Sequence, residues 1–357
     1  MRQHSEYRQT GALRTSQDGP RILAWEITRR CPLACKHCRA GAQDHEYSGE
    51  LTTDECLQVL NSLASFSRPM IIWTGGEPMY RPDMVDLVRA AKERGIRSVM
   101  APCGTLVNKE ALAELKNAGV MACSFSVDGA SAVSHDAFRG VEGAFENIIR
   151  AMKVASEIGM PFQVNTTVSQ LNRDELPAVR ELAVELGAKM LDLFFLVPVG
   201  RGRGVGDLAL PPAETEEILS WMFEMNQSGP IPMRETCAPQ AVRIWNSMGR
   251  PGRQPSGCMG GKGFVFISHT GILQPCGFLD IPSGDLRASG FDFRKAYEES
   301  EVFNDLKRCD DLGGGCGRCA FRYDCSGCRA RAYAATGDYM AADPSCPLAG
   351  AVERADF

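Results

Sequence analysis

Short apolar segments alternate with longer segments of helical periodicity between residues 21 and 228. The short segments predict buried strands, and one of them, 162–168, is rich in β-branched residues. Each precedes a segment whose apolar positions recur every three or four residues. The predicted strands are 22–27, 70–73, 97–101, 121–127, 162–168 and 190–197. Six such strand–helix units in succession predict a parallel sheet with helices outside it, either an open sheet or an incomplete barrel.

Capping residues mark the ends of the predicted helices. Thr52 and Glu55 have the spacing of a capping box at the start of the first helix. The later helices are predicted at 82–94, 108–117, 143–157, 174–186 and 212–227. In both kinds of parallel sheet, ligands bind at the carboxyl ends of the strands, so functional residues are expected in the loops that follow them.

The sequence changes character after residue 228. It becomes rich in Gly, Pro and Cys, with one hairpin candidate, strands 263–268 and 272–275 around the turn 269–271. We therefore predict a polar tail at 1–20, an α/β domain at 21–228 and a small domain at 229–357. We expect metal, rather than a large hydrophobic core, to organise the small domain.

Composition narrows the class of protein. The chain has 357 residues, of which 44% are hydrophobic and 23% charged, which is typical of a globular protein. A net charge of −5 argues against a general nucleic-acid binder. No apolar run reaches the roughly 18 residues of a membrane span, and residues 1–20 lack the apolar core of a secretory signal. A cytoplasmic location is therefore expected.

Fifteen cysteines are unusual for a cytoplasmic chain, where reduced thiols serve as metal ligands or catalytic groups rather than disulfides. Three lie together near the start, and eight lie in the last hundred residues. Cys56, Cys103 and Cys123 are isolated, and we interpret them as small core side chains.

The first group, Cys31, Cys35 and Cys38, has the spacing C-x3-C-x2-C in the loop after the first strand. Three thiolates can bind three irons of a cubane cluster and leave the fourth iron open. A zinc site with His37 as fourth ligand is the alternative. The segment Thr74-Gly75-Gly76-Glu77-Pro78 follows the second strand, where two glycines allow close approach of a ligand and Glu77 offers a carboxylate to an ammonium group.

These two motifs on successive strand ends resemble the radical S-adenosylmethionine (SAM) superfamily. The resemblance implies a partial (β/α)6 barrel in which the three cysteines hold a 4Fe-4S cluster that binds SAM. It implies that Gly75, Gly76 and Glu77 hold the methionine amino group. Ser126 and Arg139 are expected to make further SAM contacts. One departure is Pro102-Cys103-Gly104-Thr105-Leu106, where relatives often have Thr-Asn-Gly-Thr-Leu, so no polar role is assigned to this stretch.

The later cysteines resemble the SPASM extension of radical SAM enzymes, which carries auxiliary 4Fe-4S clusters. The resemblance implies one cluster on Cys316, Cys319, Cys325 and Cys346, and another on Cys258, Cys276 and Cys328. The fourth ligand of the second cluster is either Cys237 or absent, which leaves an open iron. The spacing from Cys325 to Cys328 is one residue shorter than is usual in this extension, and Cys309 matches none of its cysteine positions. A structural zinc site is the alternative to the auxiliary clusters.

Longer strings resemble the haem-biosynthesis branch of the superfamily. They are 194–203, 236–239, 275–279 and 327–339. The resemblance implies an iron tetrapyrrole substrate, whose carboxylates need local cations in an acidic chain. Arg201 and Arg203 follow the sixth strand and are candidates for that role, because guanidinium groups bind carboxylates with two hydrogen bonds. His269 is a weaker candidate as a ligand of the haem iron.

The expected reaction is oxidative decarboxylation of iron-coproporphyrin propionates to vinyl groups. In the resemblance, a 5′-deoxyadenosyl radical removes a hydrogen atom, and an auxiliary cluster accepts the surplus electron. There are three alternatives. One is removal of acetate or propionate side chains from didecarboxysirohaem, and another is maturation of a peptide or protein. The third is a non-catalytic iron–sulfur protein. A flavodoxin or ferredoxin is the expected electron donor.

Overall fold

The computed structural model describes residues 19–249 and 257–351. Across these residues a single sheet of nine strands has the order β7-β6-β5-β4-β3-β2-β1-β8-β9. The strands are β1 Ile22–Thr28, β2 Met70–Gly75, β3 Ser98–Met100, β4 Val120–Ser126, β5 Phe162–Val168, β6 Leu191–Phe195, β7 Met233–Thr236, β8 Phe264–Ile267 and β9 Leu273–Gln274. Neighbouring strands from β7 to β8 run parallel, and only the β8–β9 pair is antiparallel.

Helices connect the strands and cover one face of the sheet. They are α1 Thr53–Phe66, α2 Met84–Glu93, α3 Lys109–Ala118, α4 Ala132–Arg139, α5 Ala144–Glu157, α6 Leu176–Glu185, α7 Pro212–Ser228, α8 Ala241–Ser247, α9 Phe293–Glu298, α10 Glu301–Lys307, α11 Gly314–Arg318, α12 Arg329–Thr336 and α13 Pro347–Ala351. The predicted alternation of strand and helix is confirmed. The capping box is also present, since the Thr52 side chain accepts from the Glu55 N–H and Glu55 accepts from the Thr52 N–H.

The two faces of the sheet differ in burial, as strand β5 illustrates. Along β5, Phe162, Val164 and Val168 are buried in the core that the strands share with the helices. Gln163 and Asn165 point the other way and are only half-buried. We call the helix-covered face outward and the other face inward. The partly exposed residues of the inward face line the interior of the barrel.

Two features of the fold differ from the predicted elements. Helix α4 lies between β4 and α5, where the sequence pattern predicts no helix. The segment after residue 228 contributes β7, β8 and β9 to the same sheet, and β8 pairs with β1. The predicted hairpin is present as β8 and β9, and the boundary at residue 228 stays a prediction. None of the helices in the described ranges has the length and apolarity needed to cross a bilayer.

Candidate active site

The loop that follows β1 carries Cys31, Cys35 and Cys38, and helix α4 fixes its path. The Ala34 N–H donates to Arg139 O at 3.2 Å, and the Lys36 N–H donates to Phe138 O at 3.0 Å. The last carbonyls of a helix have no partner inside the helix, so these bonds complete the end of α4. A Cβ on Gly140 would lie 2.6 Å from Ala34 O, so the close contact requires glycine there. We call residues 31–43 the cluster loop.

The thiols of the cluster loop lie in a buried, partly cationic environment. Cys31 and Cys35 are buried, and the Arg139 Nη1 lies 3.6 Å from the Cys35 Sγ. Burial raises the pKa of Cys35, and the Arg139 guanidinium acts against that rise. In the described ranges, no group of three or more His, Cys, Asp or Glu side chains has the geometry to bind one metal ion. Three thiols in one loop remain a suitable donor set for an iron–sulfur cluster, which binds each thiol through a different iron.

The turn after β2 packs directly against the cluster loop. A Cβ on Gly76 would lie 2.0 Å from Arg30 O, and one on Gly75 would lie 2.5 Å from Thr28 O. Glu77 is fully buried and accepts the Met79 N–H at 2.9 Å and the Cys103 N–H at 2.5 Å. Burial raises the pKa of Glu77 well above its usual value. A ligand ammonium group would stabilise the ionised form of this carboxylate.

A buried ion pair connects the end of β4 to the cluster loop. The Arg139 Nη2 lies 2.6 Å from the Asp128 Oδ2, and the His37 Nε2 lies 3.9 Å from the same oxygen. Burial opposes ionisation of Asp128, but Arg139 and His37 outweigh it and hold the pKa of Asp128 below its usual value. Ser126 ends β4 on the inward face, opposite Asn165. Arg139 therefore lies beside the cluster loop, and Ser126 precedes its partner Asp128 by two residues.

Arg201 and Arg203 have different surroundings. The Arg201 Nε donates to Cys35 O at 2.9 Å, and its Nη1 donates to Ala42 O at 2.5 Å. Its own N–H donates to Cys38 O at 3.0 Å, so Arg201 holds the cluster loop in place at three points. Arg203 is exposed. Carboxylate binding by either residue stays a prediction.

Four tail cysteines, Cys237, Cys258, Cys276 and Cys328, form one group, in which Cys328 is buried and the others are partly exposed. The Cys237 and Cys328 side chains are hydrogen-bonded, and this bond raises the pKa of Cys237 and lowers that of Cys328 to about 7. Burial and the neighbouring Cys258 and Cys328 raise the pKa of Cys276 to about 12. Cys237 adopts a left-handed φ of 64°, which turns the chain at this point.

A second tail group includes Cys316, Cys325 and Cys346. Burial raises the pKa of Cys325, and the Cys346 and Cys316 thiols add to the rise. Backbone N–H groups point at these sulfurs: Asp343 N lies 3.4 Å from Cys316 Sγ, and Gly327 N lies 3.4 Å from Cys325 Sγ. The Phe321 N–H donates to Cys319 Sγ at the same distance of 3.4 Å. Such donors are a common setting for cluster thiolates.

The remaining cysteines divide between core and site. Cys56 and Cys123 are buried in the main core, as predicted. Cys103 is not a core residue: its side chain contacts Cys31 and its N–H binds Glu77. The Cys309 Sγ lies 2.9 Å from the Lys262 Nζ and 3.7 Å from the Oγ of Ser326, which stands between Cys325 and Cys328.

Sequence reasoning missed two buried carboxylates on the inward face, each of which orients an arginine. Glu26 on β1 accepts Arg39 Nη1 at 2.8 Å, and Asp192 on β6 accepts Arg234 Nε at 2.9 Å. The sequence contains one signal for each of these carboxylates, which is an acidic residue inside an otherwise apolar predicted strand. His269 contacts Glu26 as well, with 2.8 Å between its Nδ1 and the Glu26 Oε1.

Most of this chain is similar in sequence to known proteins. A family model described as "Radical SAM superfamily" matches residues 25–183. An "AdoMet-dependent heme synthase" of Methanosarcina barkeri is 42% identical over 92% of this chain and 97% of its own. An "Fe-coproporphyrin III synthase" of the same organism is 29% identical over 94% of this chain and 90% of its own.

The fold has solved counterparts. The crystal structure of Streptococcus suis SuiB bound to precursor peptide SuiA superposes with a TM-score of 0.74, over 93% of this chain and 76% of that one. The two sequences are 14% identical, so this likeness concerns the fold.

Proposed function

Because the chain belongs to the radical SAM superfamily, with a cysteine-rich extension of the SPASM type, we propose that it oxidatively decarboxylates iron-coproporphyrin propionates to vinyl groups. The observation that supports this proposal most is the 42% identity along 97% of an AdoMet-dependent heme synthase. A match over 92% of this chain covers most of the barrel and most of the cysteine-rich tail.

The radical SAM family binds a 4Fe-4S cluster and SAM, and the residues of the cluster loop suit that pair. We assign Cys31, Cys35 and Cys38 to the cluster. We assign Gly75, Gly76, Glu77, Ser126 and Arg139 to SAM. The first four end or follow strands β2 and β4, and Arg139 ends helix α4 beside the Cys35 thiol. Together the bound cluster and SAM supply a one-electron cleavage that yields the hydrogen-abstracting 5′-deoxyadenosyl group. Arg201 and helix α4 hold the loop in one conformation.

We assign the tail cysteines to auxiliary 4Fe-4S clusters. Cys316, Cys319, Cys325 and Cys346 form one ligand set. Cys237, Cys258, Cys276 and Cys328 form the other, and the contact between Cys237 and Cys328 supports a complete set of four thiols. Burial and N–H···S hydrogen bonds at these sulfurs would tune the reduction potential of the clusters.

The proposed reaction balances for each vinyl group formed. A propionate would give one hydrogen atom from its β-carbon to the 5′-deoxyadenosyl radical, release one molecule of carbon dioxide, and pass one electron to an auxiliary cluster. The half-buried inward face provides the space for the substrate, and the surrounding core limits access of water. A flavodoxin or ferredoxin of the reducing cytoplasm is a suitable electron donor for this reaction. The 29% identity to the Fe-coproporphyrin III synthase gives less support to the didecarboxysirohaem alternative.

An anaerobic assay tests the proposal. The protein is reconstituted with iron and sulfide and mixed with SAM, dithionite and iron coproporphyrin III, and 5′-deoxyadenosine and porphyrin mass are followed together. We expect 5′-deoxyadenosine to rise with porphyrin, and porphyrin mass to fall by the mass of carbon dioxide and hydrogen for each turnover. If the rate of SAM cleavage is the same with and without the porphyrin, and no vinyl product forms, the proposed substrate is wrong.

A further inference from the structure

Two arginines on the inward face of the sheet are held by fully buried carboxylates, at opposite ends of the run from β1 to β7. We propose that Arg39 and Arg234 bind two carboxylates of the substrate and thereby fix its orientation in the barrel. This inference rests on the proposed function, because it takes a porphyrin with several propionates as the ligand.

Arg234 is oriented by Asp192. Asp192 is fully buried, and it accepts both the Nε and the Nη2 of Arg234. The Thr236 Oγ1 donates to its second oxygen at 2.8 Å, so the carboxylate is occupied on both sides. The Arg234 side chain nevertheless keeps 40% of its surface exposed. The Nη1 edge of the guanidinium is therefore available to a ligand in the interior.

The position of Arg234 on β7 supports a role toward the interior. Met233 is buried in the outward core, so its neighbour Arg234 points inward. Arg234 is opposite Asp192 in the register of β6 and β7. It precedes Cys237 by three residues, or about 10 Å of extended strand, which places the guanidinium close to a predicted auxiliary cluster.

Arg39 has a similar arrangement on the other side. Its Nη1 donates to Glu26, which is fully buried, and its guanidinium lies 4.2 Å from the centre of the Phe266 ring. The Arg39 Nη2 is buried and has no hydrogen-bond partner among the residues that the structure describes. A buried N–H group without a partner is costly, and a ligand carboxylate would satisfy it.

Arg39 also lies between the two kinds of cysteine group. It follows Cys38 directly, and a Cβ on Gly277, the residue after Cys276, would lie 3.2 Å from the Arg39 Nε. The guanidinium therefore lies between the cluster loop and the tail cysteines, where a substrate must sit to reach both.

Charge balance favours an anion beside Glu26, where two arginines share one carboxylate, and leaves the Asp192–Arg234 pair neutral. Glu26 is surrounded by Arg29, Arg39 and His269, and Asp192 is neutralised by Arg234, so neither carboxylate leaves net negative charge. Anchored guanidinium groups bind carboxylates with little loss of side-chain entropy. Two of the four propionates survive both decarboxylations, so two fixed anchors match the carboxylates that persist from substrate to product.

Binding measured without SAM tests the inference apart from catalysis. The reconstituted protein is titrated with iron coproporphyrin III and, in the same detergent, with its tetramethyl ester, and the Soret band is followed. The variants are Arg39→Gln, Arg234→Gln and Asp192→Asn/Arg234→Gln, which removes the guanidinium without leaving a buried unpaired carboxylate. Arg89→Gln is the control, because it removes the same charge from an exposed pair on α2.

We expect each anchor variant to raise the Kd for the free acid about tenfold or more and to leave the Kd for the ester unchanged. The control should bind both ligands as the unaltered protein does. An unchanged Kd for the free acid in the Arg39 variant and in the double variant would overturn the inference alone. Failure of the unaltered protein to bind iron coproporphyrin III would overturn the proposed function as well.

Discussion

At the scale of single residues, three fully buried carboxylates organise the site by holding arginines. Asp128 holds the arginine that contacts the Cys35 thiol, and Asp128→Asn would leave Arg139 without its counter-charge. We expect a loss of about 3 kcal/mol in the free energy of unfolding, because breaking a buried ion pair leaves one charge unpaired. Urea unfolding of the variant and of the unaltered protein measures this loss. Asp86→Asn, in an exposed pair, is the control and should unfold as the unaltered protein does; equal curves for both variants would contradict the argument.

Glu26 predicts a pH dependence of stability. Burial opposes its ionisation, but Arg39, His269 and Arg29 outweigh it and lower the pKa from 4.5 to about 2. A carboxyl whose pKa is lower in the folded state contributes stability above its unfolded pKa and loses it as pH falls towards the folded value. We expect a contribution of about 3 kcal/mol at neutral pH that declines below about pH 4.5.

Glu26→Gln measures that contribution. Thermal unfolding of the variant and the unaltered protein is compared from about pH 7 down to about pH 3, across the range in which the carboxylate loses its effect. The difference between their unfolding midpoints should shrink as the pH falls, because a protonated Glu26 carboxyl and the glutamine amide of the variant are both uncharged. A difference that stays constant over the range would show that the carboxylate is not the source.

Cys237 gives a sharp test of the second ligand set. Cys237→Ser is expected to lower the iron content of the reconstituted protein and to change the electron paramagnetic resonance spectrum of the reduced auxiliary cluster, because oxygen is a poorer ligand to iron–sulfur clusters. Cys123→Ser is the matched control, since Cys123 is buried in the main core. Equal iron content and equal spectra in the two variants would show that Cys237 is not a cluster ligand.

The cysteine motifs are visible in the sequence, whereas the contacts of the arginines are not. Ligands such as Cys31, Cys35 and Cys38 are close in sequence, so their spacing carries the information. Arg201 reaches backbone carbonyls in the cluster loop, and Arg234 meets Asp192 across two strands. Contacts of that kind depend on strand order and register, which a single sequence does not specify.

At the scale of elements, the segment after β6 supports the cluster loop. Gly200 has a φ of +57°, and a Cβ there would lie 2.2 Å from Arg39 O and 2.5 Å from Cys38 O. Gly200→Ala is therefore expected to displace the loop and to cost about 1–3 kcal/mol, with lower iron and sulfide content per chain. Gly204→Ala is the control, because nothing lies within 4 Å of its added Cβ. Equal iron content in the two variants would contradict the supporting role.

The predicted elements match the structure where local signals are strong. Each of the six predicted strands exists, and Thr52 and Asn108 cap their helices with side-chain hydrogen bonds. The sequence pattern does not predict β7, because Met233–Thr236 is four residues long and three of the four are polar. It predicts β8 as part of a separate hairpin, since nothing local shows that a distant strand pairs with β1.

At the scale of the whole molecule, tail and barrel are joined by more than the chain itself. The Arg331 Nη2 donates to Phe195 O and Leu196 O at 3.3 Å each, at the end of β6. Its Nη1 donates to Ser345 Oγ at 3.0 Å, so one buried side chain connects α12, β6 and the last cysteine segment. The tail cysteines are therefore fixed relative to the barrel interior.

This connection predicts that the barrel does not fold alone. A chain ended after Ser228 lacks β7 and β8, which bury Met233, Val265 and Ile267 in the main core. Each such side chain contributes about 1.5–3 kcal/mol, and with the edges of β1 and β6 also exposed the loss approaches the roughly 5–15 kcal/mol that stabilises a typical protein. We expect the shortened chain to aggregate and the full chain to unfold in one transition. A monomeric shortened chain with a cooperative thermal transition would show instead that residues 21–228 form an independent domain.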